Sequence, residues 1–331
     1  MLPYTNAAIV IPRLYVRAFN ATSAPHTWGA PSPTALIGFA TALQLRNPDP
    51  ENATIHSAGL VVHSLDPMVN RSYRDWTFNL TRNPVDKSGS TPGIVEEGRA
   101  NMVCSLVLGL DVADDVYRNN ADLAELAQKL VAQVLSMRFS GGSIFSASPT
   151  IRRPRPTTPL AIRLATEDDA DNDNILEAEK KTLFRLLPGF ALVSREDALA
   201  AHHARRLEDS SDANLIDSWM DFARLKFVCE ANEDGSKKGK VEWKVADRPT
   251  SGGWLVPIPT GYMGISEKYD PGVVHASRSD AYPFQFVEPV YSVGEWLGPH
   301  RVSSLRSLLW YAHTDEERQL YLCKNDYVQV R

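Results

Sequence analysis

Between residues 120 and 138 the apolar side chains fall on one helical face. Leu123, Leu126, Ala127, Leu130, Val131, Val134 and Met137 recur at the three- and four-residue spacing of a helix packed on one side. The run stops at Arg138-Phe139-Ser140-Gly141-Gly142-Ser143, and an apolar strand is expected over 143–148. This corner fixes the last two elements of a longer order. Residues 7–17 read as a strand, with Ile9, Ile11, Arg13, Tyr15 and Arg17 on one face and Val10, Leu14 and Val16 on the other. Ser32 followed by Pro33 marks a helix start, and that helix runs to about Arg46 with Leu36, Ile37, Ala40 and Leu43 on one side. Residues 55–64 and 101–110 read as two more strands, and the turn-rich stretch at 76–100 reads as a protruding hairpin.

The order strand, helix, two strands, helix, strand is the ferredoxin-like βαββαβ pattern, which RNA-recognition folds also use. The predicted fold class is therefore α+β: a ferredoxin-like domain over 1–150 and a large second α/β region over 175–331, separated by a linker or exposed loop at 151–174. That linker opens Pro-rich and basic and then turns acidic. In the second region, 175–206 reads as helical apart from Pro188-Gly189, and 212–228 as another helix. A hydrophilic loop at 231–240 precedes the strand VEWKVA. The prolines of GGWLVPIPTGYMGIS suggest an edge strand, and 298–313 suggests a helical end.

Charge limits the partners. The net charge of −5 argues against a general nucleic-acid coat, but residues 167–179 hold seven acids and no base, so the rest of the chain stands at +2 and leaves room for a local basic surface. No apolar run is long enough for a membrane span. The three cysteines, Cys104, Cys229 and Cys323, are far apart and odd in number, which fits a reducing cytosol and gives no zinc motif. GSKKGK at 235–240 has one residue too few for a phosphate-binding loop, and no hydrolase or metalloprotease motif occurs, so neither catalytic residues nor a cofactor are expected.

Three places could hold a nucleic acid, and each has a structural alternative. At the corner, Gly141 and Gly142 cap a helix, or they let a backbone approach while Arg138, Ser140 and Ser143 donate hydrogen bonds. The negative end of the helix dipole weighs against a phosphate there. The loop TWGAPSP runs into a helix N-terminus, which favours anions. Ser32 is either a cap or a phosphate contact, and His26 and Trp28 either fill the core or stack on a base. The hairpin at 79–99 carries Arg82, Asn83, Lys87 and Arg99, as a solvated tip or as a finger over single-stranded RNA.

The blocks Ile11-Pro12-Arg13-Leu14, TWGAPSP, GFATALQLR, FNLTRNP, GSTPGIVEEGRA, MRFSGGSI, LLPGFALVSRE, GWLVPIPTGY and GEWLGPHRVSSLRSLLWYAH, spread over nearly the whole chain, resemble the small tail subunit of the type I-F CRISPR surveillance (Csy) complex. The resemblance implies a RAMP-superfamily protein with a glycine-rich loop after its second helix, the place that 140–143 occupies. It implies that the chain pairs with the large subunit, holds the 5′ handle of the CRISPR RNA, meets the adjacent backbone subunit to cap its filament, and sits near target DNA beside the protospacer-adjacent motif. It implies no cleavage activity. On this basis Arg13, Arg99, Arg138 and the 140–143 amides are expected at phosphate, Trp28, Arg82 and Asn83 at bases, and Arg195 and Arg301 at further contacts. An RNA-cleaving RAMP enzyme and a structural adaptor that never touches RNA remain the alternatives.

Overall fold

The structure, a computed structural model, describes residues 1–86, 88–147, 157–166, 172–231, 241–246, 248–249 and 253–330. Strand β1 (Ala7–Asn20) leads through the short strands β2 (Thr22–Ala24) and β3 (Thr27–Trp28) to α1 (Pro33–Gln44). Next, β4 (Ala53–Pro67) runs out into an arm of four short strands, β5 (Val69–Arg71), β6 (Trp76–Phe78), β7 (Leu80–Arg82) and β8 (Ile94–Glu96), and returns as β9 (Arg99–Val112). Then come α2 (Asp114–Arg118), α3 (Asn120–Ser136), β10 (Arg138–Phe139), β11 (Gly142–Phe145) and β12 (Leu160–Arg163). The second half holds α4 (Asp173–Arg185), β13 (Phe190–Ser194), α5 (Glu196–Asp209), α6 (Leu215–Ala223), β14 (Phe227–Ala231), β15 (Val241–Val245), β16 (Trp254–Gly264) and β17 (Val287–Leu297). Two 3₁₀ turns at 299–301 and 305–308, β18 (Trp310–Asp315), β19 (Leu320–Asn325) and α7 (Tyr327–Val330) complete it.

One antiparallel sheet runs through both halves in the order β10-β11-β1-β9-β4-β13-β17-β16-β19-β18, with β12 added on β1. Strand β18 also pairs with β4, at Ser57 and Ala58, so β4, β13, β17, β16, β19 and β18 form a closed circuit. Helices α1 and α3 cover one face of the first strands. Leu36, Ile37, Phe39 and Leu43 of α1 and Leu123, Leu126, Leu130 and Val134 of α3 share a core with Ile9, Ile11, Leu14 and Val16. The α1 cap is as expected: Ser32 Oγ accepts from the Ala35 amide at 3.2 Å, and Pro33 stands in the first turn. The opposite face is covered only in part. Ala8, Val10, Val61 and Val107 pack there against Leu183 of α4, Leu186 just after it, and Leu305 and Leu308 of the second 3₁₀ turn.

Several expectations need correction. Strict alternation along β1 fails at two bulges, between Ile11 and Leu14 and between Val16 and Phe19, where Arg13 and Ala18 both have φ of 53°. Each bulge inserts a residue, so Leu14, Val16 and Phe19 stay on the side of Ile9 and Ile11. The expected helix over 175–206 is broken by β13, because Phe190 and Ala191 pair with Val62 and Val61 and the next residues with β17. The helix expected over 212–228 stops at Ala223, and 298–313 forms two 3₁₀ turns and a strand. Strand β16 is interior, yet β19 pairs with it only at Gly261–Met263, so Pro257 and Pro259 sit where that side is locally free. Within the expected 151–174 linker, Leu160–Arg163 pairs with Ala7–Val10. Residues 151–156 and 167–171 of that segment, Lys87 and the loop at 232–240 lie outside the described residues.

Candidate nucleic-acid interface

The glycine corner is a hairpin turn, which corrects the helix-cap reading. Helix α3 ends at Ser136, and Met137 behind it is extended. Strands β10 and β11 then pair Arg138 with Ser143 and Phe139 with Gly142. The two residues between them, Ser140 and Gly141, have φ of 48° and 78°, the paired positive angles of a type I′ turn. Ser140 Oγ donates to the Asn20 carbonyl at 3.1 Å, and Arg138 Nη1 donates to the Gly141 carbonyl at 3.1 Å. The two glycines differ. A Cβ on Gly142 would lie 2.9 Å from Phe19 Cα and from the Arg17 carbonyl, so its close approach is to β1 of the same chain. Gly141 is exposed, with nothing within 4 Å of where a Cβ would stand.

Cross-strand register builds a row on the uncovered face. Arg17 of β1 lies opposite Ser143, and Ser143 lies opposite Arg138, so two exposed guanidinium groups flank one hydroxyl. In the next row Tyr15 lies opposite Phe145, their ring centroids 6.2 Å apart, and Phe145 is 45% exposed. Tyr15 and Phe145 were not among the expected contacts. Tyr15 was legible through its place beside Arg17 in the strand alternation, whereas Phe145 needed the pairing register.

The loop after β1 brings the second candidate to the same end of the sheet. The Asn20 amide donates to Ser140, the Ala21 amide to Gly98, and the Gly29 amide to Ala21. Beyond this junction a cavity of about 590 Å³ opens where β4 turns away from β13 at the bulge between Val62 and Ser64. Trp28, Phe190, Trp254 and Trp296 supply aromatic walls, with Pro257 and Ile258 of β16 and the 29–32 loop around them. Phe190 and Trp254 meet edge to face at 5.7 Å. Trp28 lies 5.8 Å from Phe78 of the arm, which ties the arm to the cavity. His26 and Ser32 also line it, although Ser32 is buried and its hydroxyl is used by the cap. Phe190 escaped notice because its segment reads as helix, and Trp254 and Trp296 because their strands come from the second half.

The remaining expected cations divide. Arg82 and Asn83 are exposed on the β7–β8 arm. Arg99 donates to Glu97 at 2.5 Å and to the Ala18 carbonyl at 3.1 Å, so it braces the base of that arm. Arg301 is exposed on a 3₁₀ turn that packs against α4. Arg195 is a correction: its side chain is 6% exposed and bonds Glu295, itself 4% exposed, and Asp197 at 2.9 Å, so no face is left for a phosphate. Arg13 is exposed, but its Nη2 donates to the Leu187 carbonyl at 3.0 Å. Beside it, His63 Nδ1 lies 2.6 Å from the Pro188 carbonyl and Nε2 lies 2.7 Å from Ser105 Oγ. A carbonyl only accepts, so Nδ1 carries the proton and Nε2 accepts from the serine, whose oxygen in turn receives the Arg13 amide at 3.0 Å. Burial holds the His63 pKa below 6.5, the Pro188 carbonyl opposes this, and the Arg13 charge adds to the lowering.

Three further histidines also have internal partners. His56 faces the Tyr4 carbonyl, His202 faces Asp221, and His203 faces Ser218. Among the described residues no three His, Cys, Asp or Glu side chains converge as a metal site, and no helix is long and apolar enough to cross a membrane.

Comparison with known proteins gives two findings. A family model described as CRISPR-associated protein (Cas_Csy2) matches residues 9–323. The CRISPR-associated protein Csy2 of Pseudomonas aeruginosa (strain UCBPP-PA14) is 39% identical over 321 residues, covering 95% of this chain and 94% of that protein.

Proposed function

The chain belongs to the Csy2 family of CRISPR-associated proteins, and from that premise we propose that it is a non-catalytic subunit of a type I-F Csy surveillance complex that holds the 5′ handle of the CRISPR RNA. The observation that carries this reading is the corner itself. An exposed Gly141 leaves room for a sugar–phosphate chain, and Arg138, Ser143 and Arg17 stand beside it in one cross-strand row. Phosphates are positioned there, while Tyr15, Phe145 and the aromatic cavity hold unstacked bases. The strand order supports a ferredoxin-like RAMP domain, since β11-β1-β9-β4 places the fourth, first, third and second strands of a βαββαβ unit side by side. In the assembly the chain pairs with the large subunit, caps the filament of backbone subunits and lies close to target DNA next to the protospacer-adjacent motif. A non-cleaving role suits His56, His63, His202 and His203, which are spent on internal partners.

The test is the salt dependence of handle binding. Arg138→Ala is expected to weaken binding of handle RNA and to reduce the slope of log affinity against log salt by about 0.7, the contribution of one single-strand phosphate contact. An unchanged slope removes Arg138 from the phosphate path.

A further inference from the structure

The hairpin β14–β15 stands outside the large sheet, and among the described residues its strands pair with each other alone. Its register sets Phe227 opposite Val245 and Cys229 opposite Trp243, so these four side chains share one face. None of them is covered. Phe227 is 54% exposed, Trp243 65% and Val245 53%, and the Cys229 thiol is free and exposed. Leu225, two residues before Phe227, is 59% exposed. An isolated two-stranded ribbon is marginal in water, and a contiguous exposed apolar face of this kind marks an interaction surface.

The base of the ribbon restricts what can cover it. Where the Ala246 amide closes on the Lys226 carbonyl, Arg205, Arg224, Lys226 and Arg248 line a cleft of about 400 Å³ against one carboxylate among the described residues, Asp221. Asp221 is held charged: it accepts from Arg224 at 2.9 Å and from Arg206 at 3.2 Å and faces His202 at 3.0 Å. The cleft thus keeps an excess of positive charge beside the apolar face.

Resting on the reading of this chain as a subunit of a Csy assembly, we infer that the β14–β15 face is a docking surface for another protein subunit, one that lays apolar side chains on Phe227, Trp243 and Val245 and carboxylates in the cleft at the ribbon base. RNA fits this face less well, because Val245 and Cys229, half of its cross-strand set, offer no ring for a base to stack on.

Cys229 is a built-in reporter, since Cys104 and Cys323 are buried with thiols pushed up to about 12. Its alkylation by N-ethylmaleimide is compared in the chain alone, in the chain with CRISPR RNA alone, and in the assembled complex. The expected result is a rate about tenfold lower in the complex only, and a Trp243→Asp, Val245→Asp variant that assembles about tenfold more weakly with its handle-RNA affinity and thermal midpoint retained. No protection in the complex overturns the inference, and protection by RNA alone overturns it in favour of a nucleic-acid face. Protection of Cys229 in a complex whose handle RNA does not touch this chain leaves the docking face standing and removes the handle reading.

Discussion

Gly141 and Gly142 are neighbours with opposite roles. Gly142 is small because β1 runs against it, and Gly141 is a glycine because the turn needs a positive φ. Gly142→Val should therefore destabilise the fold by about 1–3 kcal/mol, the usual cost of forcing bulk into a packed site, and Gly141→Asn, which tolerates that φ, should unfold close to wild type. Denaturant melts decide, and equal midpoints for both would contradict the assignment. The arginines divide in the same way. Arg195→Met strands Glu295 in the interior and should cost about 3–5 kcal/mol with the salt slope of RNA binding intact. Arg138→Ala should do the reverse, because its guanidinium is exposed. Sequence reading selected both as RNA contacts, since an arginine in a family block looks alike whether its partner is a phosphate or a buried carboxylate one hundred residues away.

Elements were legible where one periodicity dominated. The amphipathic α3, the capped α1 and the long strands β4 and β9 could be read from spacing and end signals alone. The failures cluster where tertiary pairing decides. FALVS is a strand because β4 and β17 flank it, and the 3₁₀ turns near 300 are set by the face they cover, with Glu179 accepting from Ser304 Oγ at 2.6 Å and from the Leu305 amide at 2.5 Å. The His63 network joins β1, β4 and β9 to the turn that leads to Phe190, and so to one wall of the cavity. It also makes a pH prediction. The folded His63 resists a proton that the unfolded chain accepts near pH 6.5, so its contribution to stability is complete above 6.5 and is lost as pH falls from there toward the lowered folded value. His63→Asn keeps a donor for the Pro188 carbonyl and should show a flatter stability curve as pH falls below 6.5. Some slope will remain, because burial holds His56 down as well. A curve as steep as wild type would contradict the role given to His63.

At the scale of the molecule, the strand–helix alternation of the first half could be read directly, but the closed circuit through β4 could not. That circuit depends on β18 and β13 sharing one edge of β4, a relation between residues 57–62 and segments more than one hundred residues later. The cavity exists because of it: β4 leaves the circuit at a bulge, and side chains from both halves line the gap. On the proposed function, RNA lies along this end of the sheet, from the serine–glycine corner to the aromatic cavity. Ultraviolet cross-linking of handle RNA in the assembled complex, followed by peptide sequencing, measures that most directly. Cross-linked nucleotides are predicted on the peptides carrying Tyr15, Trp28, Phe145 and Trp254. Cross-links confined to other subunits, with none on those four peptides, would contradict the account.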